Sequence, residues 1–135
     1  MSKDSVPEIG LQQINVILKY LPIFEKQDDQ FGQWVEQEGQ SPYFSFSPEV
    51  DEFISMLYKQ NMIIAFDWTS WSEEAERYQT DPAALEAADL LTLRKLLTAH
   101  VRADRFVEGH LASVFESGHM TAVLRRLKQI HDDMT

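Results

Sequence analysis

The densest run of chemically versatile side chains lies between Leu90 and His110. Arg94, Thr98, Arg102 and Arg105 follow at spacings of four, four and three, which puts them on one stripe of a helix. Leu90, Leu93, Leu97 and Val101 form a second stripe. His100 and Asp104 are four apart and can meet, and Glu108 and His110 fall near the same edge if the chain turns gently past Arg105. Arg94, His100, Arg102, Asp104, Arg105, Glu108 and His110 are therefore the first candidate site: a polar cleft in which guanidinium groups hold an anion and a histidine–carboxylate pair moves protons. The plainer reading is a salt-bridged surface helix with a hydrogen-bonded histidine, and the spacing favours it.

All four histidines, His100, His110, His119 and His131, fall in the C-terminal part of the chain. Their spacing offers neither a His-x-x-x-His pair nor His-Glu-x-x-His, so no metal site is expected. Asp67, Trp68 and Trp71 are a second candidate site. Two tryptophans three apart can stack on a base or a sugar, but that spacing more often anchors a core, with Asp67 as a cap or turn residue. No glycine-rich phosphate loop, Walker-type lysine or dinucleotide fingerprint occurs, and no serine sits in a Gly-x-Ser-x-Gly turn. A paired-acid mechanism has no locatable signature among 22 acidic residues. No cofactor is expected.

The elements that must position these groups read as helices. The first runs over about 8–21, with Leu11, Ile14, Val16, Ile17, Leu18 and Leu21 as its apolar stripe, and Pro22 stops or kinks it. A second is expected over about 28–38, with Phe31, Trp34 and Val35 on one side and Gly39 past its end. Gln40 to Ser47 is aromatic and turn-rich and reads as extended. Ser47-Pro48-Glu49 is an N-cap, a first-turn proline and a first-turn acid, opening a helix to about Gln60. Met62 to Phe66 is read as a buried connection rather than a strand, because no partner strand is evident.

Thr69 or Ser70 is expected to cap a helix bearing Glu73, Glu74 and Glu76, and Asp81-Pro82 opens another short one. Helices then follow over about 90–105, 107–117 and 119–131. The expected fold is mainly α: a compact single domain over residues 1–135, an array of about six to seven short helices joined by extended aromatic connections. Residues 1–7 are expected to be disordered and residues 132–135 frayed. The core is expected to hold Phe53, Ile54, Leu57, Leu93, Leu97, Leu111, Val114, Phe115 and Leu124.

Composition narrows the function classes. At 135 residues with 44% hydrophobic and 25% charged side chains, the chain has enough apolar surface for one core. Without cysteine it can build no disulfide, thiolate metal site or cysteine nucleophile, which suits a reducing compartment. Its longest apolar stretches are far shorter than a bilayer requires, and Met1-Ser2-Lys3-Asp4 lacks the apolar core of a signal peptide. A cytoplasmic protein without membrane contact is expected. The net charge of -10 argues against direct binding to nucleic acid or anionic lipid. That charge is uneven: residues 1–66 carry 4 basic and 10 acidic side chains, residues 67–90 carry 1 and 7, and residues 91–135 carry 7 and 5.

Several motifs occur together in order: Tyr43 to Ser47, Phe66-Asp67-Trp68, Asp81-Pro82, Leu93-Arg94-Lys95-Leu96-Leu97-Thr98, Arg102-Ala103-Asp104-Arg105-Phe106, Glu108-Gly109-His110-Leu111 and Leu124-Arg125-Arg126-Leu127. From about Leu18 to Leu127 the chain resembles an uncharacterised bacterial family, the domain of unknown function numbered 6508. The resemblance implies one bacterial or phage-encoded domain, and it brings no reaction, ligand or catalytic residue. The sequence reading therefore leans away from an enzyme, toward a binding or regulatory module that contacts a protein or another copy of itself. The runner-up is a small enzyme or ligand binder that uses the arginine–histidine cluster on an anionic small molecule. An acidic mimic of nucleic acid is the weakest of the three.

Overall fold

A computed structural model of the protein describes residues 6–26 and 31–135. Its elements are α1 (Leu11–Leu18), α2 (Leu21–Lys26), β1 (Gly32–Val35), β2 (Tyr43–Phe46), α3 (Pro48–Lys59), a 3-10 turn (Trp68–Trp71), α4 (Ser72–Thr80), α5 (Pro82–Glu86), α6 (Leu90–Ala103), α7 (His110–Glu116) and α8 (His119–Met134). The fold is mainly α. Among the described residues the sheet is a single two-stranded antiparallel hairpin.

The helix starts follow the capping chemistry. Ser47 Oγ accepts the Val50 N–H at 3.3 Å, and Asp81 Oδ1 accepts those of Ala83 and Ala84 at 3.1 and 3.3 Å. Asp89 Oδ1 takes the Thr92 N–H at 2.8 Å and opens α6. Pro22 does not end the first helix. The chain breaks before it, at Lys19 and Tyr20, and Pro22 lies in the first turn of α2, where its missing N–H leaves no bond unmade.

The expected helix over 28–38 is corrected. Residues 27–30 lie outside the described residues, and from Gly32 the chain is a strand, with Trp34 opposite Phe44 and Val35 opposite Tyr43. Cross-strand aromatic packing overrides the helical reading: the Trp34 and Phe44 rings meet edge-on at 5.7 Å. Gly32 has φ 149°, and a Cβ there would come within 2.2 Å of the Ser45 carbonyl oxygen. Only glycine lets the strands approach so closely. Met62 to Phe66 forms no strand, as expected, with Met62 and Ile64 buried.

Of the expected core, Phe53, Leu57, Leu93, Leu97, Leu111, Val114, Phe115 and Leu124 are buried, while Ile54 is partly buried. Tyr20, Phe24, Phe31, Phe53 and Phe115 form a cluster of rings beneath α1 and α2. Both of those helices pack on α8. α6 is buried over most of its circumference, Arg94, Thr98 and His100 included. The polar stripe expected at its surface thus lies largely inside the protein. α7 begins at His110 rather than near Val107, so residues 104–109 form a loop ending on Gly109 in the left-handed conformation (φ 86°). α8 continues to Met134. Of the N-terminal stretch expected to be disordered, residues 1–5 lie outside the described residues. Among the described residues no helix is long and apolar enough to cross a membrane.

A candidate cleft with a histidine pair

α6 brings His100 to the side facing α7, and the 104–109 loop returns His110 beside it. Their rings are hydrogen-bonded, His100 Nδ1 to His110 Nε2, at 3.1 Å. His119, at the start of α8, meets His100 edge-on at 5.2 Å. His100 is 2% exposed, and its Nε2, like that of His119, has no hydrogen-bonding partner among the described residues.

Burial governs the charge of this trio. It pushes the His100 pKa down to about 3, with His119 and His110 adding repulsion, and the His119 pKa down to about 4. His110 is also lowered by burial, against the opposing pull of the Asp104 carboxylate. The three are neutral imidazoles at neutral pH. In a neutral pair one ring donates and the other accepts. With His100 Nδ1–H donating, the buried Nε2 of His100 carries a lone pair instead of an unmatched N–H, which is the less costly orphan. His110 then carries its proton on Nδ1.

His100 and His110 line a cleft of about 300 Å³ between the 3-10 turn and α4 on one side and α6 and the start of α7 on the other. Trp68 and Ala75 form one wall, Ala99 and Ala103 the other, and Ser72, Glu76 and Gln79 add polar groups. Of these, only His100, His110 and Trp68 stood out in the sequence. The spacing of Ala99 and Ala103 was the signal for the rest: four apart, they put small side chains on one helix face beside the histidines and leave room there.

The other candidate residues lie apart from the cleft. Arg94 is buried and donates from Nη2 to the Asn61 carbonyl at 2.5 Å, and burial lowers its pKa. Thr98 Oγ1 accepts the Ile64 N–H at 2.9 Å. Both side chains of that stripe therefore tie α6 to the 61–64 connection. Arg102 lies over the Tyr58 ring at 6.0 Å, and Arg105 is exposed. Asp104 does not bond His100; its Oδ1 accepts the Leu111 N–H at 2.9 Å and fastens the loop to α7. Glu108 Oε2 accepts the Phe44 N–H at 3.3 Å, joining that loop to the hairpin.

In the second candidate site the Thr69 and Ser70 hydroxyls donate to the Asp67 carboxylate at 2.8 and 2.7 Å. They do not cap α4, which starts later, at Ser72, and these bonds lower the Asp67 pKa. Trp71 packs between Phe66 and Tyr78, while Trp68 meets Phe106 at 5.8 Å. His131, beside Asp132 at 3.7 Å, does not line the cleft. Among the described residues no group of three or more His, Asp or Glu side chains is arranged to hold a metal ion.

The model of a family of unknown function, DUF6508, matches residues 9–133. The chain belongs to this family. No curated protein and no solved structure matches it.

Proposed function

We propose that this member of the family is a small binding module that acts through protein–protein contacts rather than by catalysis. The observation that carries the reading is the 104–109 loop, which holds Phe106 at 78% exposure and Val107 at 58%. The loop is anchored: the Phe106 and Val107 N–H groups both donate to the Ala103 carbonyl at 3.0 Å, and Asp104 and Glu108 bind neighbouring elements. Trp34, 52% exposed, seats its ring against Gly109 at the end of the same loop. A fixed, exposed apolar surface centred on aromatic side chains is the form that interaction sites take.

Phe106 leans on Trp68 at the start of the acidic 67–90 segment, so a partner apolar at its centre and basic at its rim fits best. A second copy of this chain, at net charge -10, fits less well. We place the module in a bacterial cytoplasm, in keeping with its cysteine-free composition. An enzymatic reading gains little support, because a general base works best with a pKa near the working pH and both buried histidines lie well below it.

The test is Phe106→Asp, an exposed substitution that leaves the core intact. Capture from cell extract should lose a salt-sensitive basic partner with this variant and retain it with Leu91→Asp, an exposed control on α6. Sedimentation over a range of concentrations checks the homo-oligomer separately. Identical captured proteins for the wild type and Phe106→Asp would end the proposal, and concentration-dependent dimerisation abolished by Phe106→Asp would replace the basic partner with a second copy.

A further inference from the structure

The cleft carries a second inference, distinct from the Phe106 surface although Trp68 borders both. We propose that it is a binding site for a small planar nitrogen heterocycle carrying no negative charge.

Its volume, about 300 Å³, lies at the small end of the range for small-molecule sites. The indole of Trp68 offers a flat face for stacking. Opposite it, Ala99 and Ala103 end at Cβ, so the space exists because these positions carry nothing larger.

The polar groups narrow the chemistry. His110 Nε2 is taken by His100, which leaves Nδ1 as the His110 atom to meet a ligand. The pair holds one proton between its rings. If the ligand offers a lone pair, His110 keeps its Nδ1–H and donates. If the ligand offers an N–H, the proton between the rings resides on His110 Nε2, Nδ1 accepts, and His100 carries its own proton on Nε2. The first arrangement leaves only a lone pair on the buried His100 Nε2 and is the less costly. The dyad therefore favours the ring-N edge of a heterocycle and can turn to meet a ring N–H, with the Gln79 amide and Glu76 carboxylate on the other side of the cleft.

The lining of this cleft does not suit an anion, the alternative ligand drawn from the arginine stripe. Arg94 is committed to the Asn61 carbonyl, Arg102 lies over Tyr58, and neither they nor Arg105 line the cleft. Glu76 does, within a segment carrying 1 basic and 7 acidic residues. A carboxylate or phosphate entering here would meet repulsion without a counter-charge.

The experiment titrates protein with 15N-labelled histidine against benzimidazole and adenine as probes and indole-3-carboxylate as the anionic control. Ring-nitrogen shifts report which tautomer the dyad holds. Millimolar benzimidazole or adenine should move the His100 and His110 ring signals saturably and leave His131 still, and the control should move neither. Ala103→Leu, which fills the cleft from a half-buried position, should abolish the response. Gln79→Leu, on an exposed position where folding is secure, should weaken it several-fold. The proposal fails if neither heterocycle moves the His110 signals, if the anion moves them as strongly, or if both variants bind like the wild type.

Discussion

The histidine trio makes a titration prediction at the scale of single residues. Unfolded, His100 and His119 take up protons near their ordinary value of 6.5; folded, burial holds them at about 3 and about 4. Between those limits the unfolded chain binds more protons, so stability rises with pH and falls as the solution is acidified through that window. Each histidine contributes a slope of up to about 1.4 kcal/mol per pH unit. Asp67, Asp89 and Asp132 are shifted below 3.8, so their own losses belong to more acidic solution. Urea unfolding midpoints should therefore decline from pH 6.5 toward 4, and His119→Asn should flatten part of that decline. A flat profile would mean that the trio opens to water. His100 and His110 were legible as candidates because they stood among charged neighbours. Their pairing was not, since it depends on the loop that turns His110 back, and a spacing of ten residues does not disclose it. The placement of the arginines was hidden for the opposite reason: helical spacing gives a shared face, but not whether that face meets solvent or another segment, as Arg94 meets Asn61.

At the scale of elements, the caps were the most readable features, because a Ser-Pro or Asp-Pro start is decided within three or four residues. Ser47 and Asp81 open α3 and α5 where their chemistry dictates. The hairpin was read as a helix in its first strand, since Phe31, Trp34 and Val35 also satisfy a helical spacing. Its strand character rests on partners about ten residues on, and on Gly32. Gly109 extends the same argument to a long-range contact. A Cβ on Gly109 would lie 2.7 Å from the Trp34 ring, and the residue has φ 86°. Gly109→Ala should destabilise the protein by about 1–3 kcal/mol and displace Trp34, which a change in tryptophan emission would report. A variant with unaltered stability and emission would show that the hairpin does not rest on this loop.

For the whole molecule, charge is the dominant bias. A net charge of -10 repels itself across the surface, while the ion pairs among the described residues, such as Arg125 with Glu25 at 2.9 Å, are largely exposed. Raising the ionic strength from about 10 to about 150 mM shortens the screening length severalfold and should raise the melting temperature. A fall would show that the surface pairs outweigh the repulsion. The mainly helical architecture was legible from periodicity and composition; the closure of the fold was not, because α1 and α2 gain their cover from α8, about a hundred positions further on. That closure bears on synthesis. As the chain leaves the ribosome, Ile14, Ile17, Leu21 and Phe24 emerge early and stay without their partner surface until the α8 segment clears the exit tunnel. The fold thus closes only after the α8 segment has emerged, and a chaperone that shields apolar segments would find its target in the first two helices.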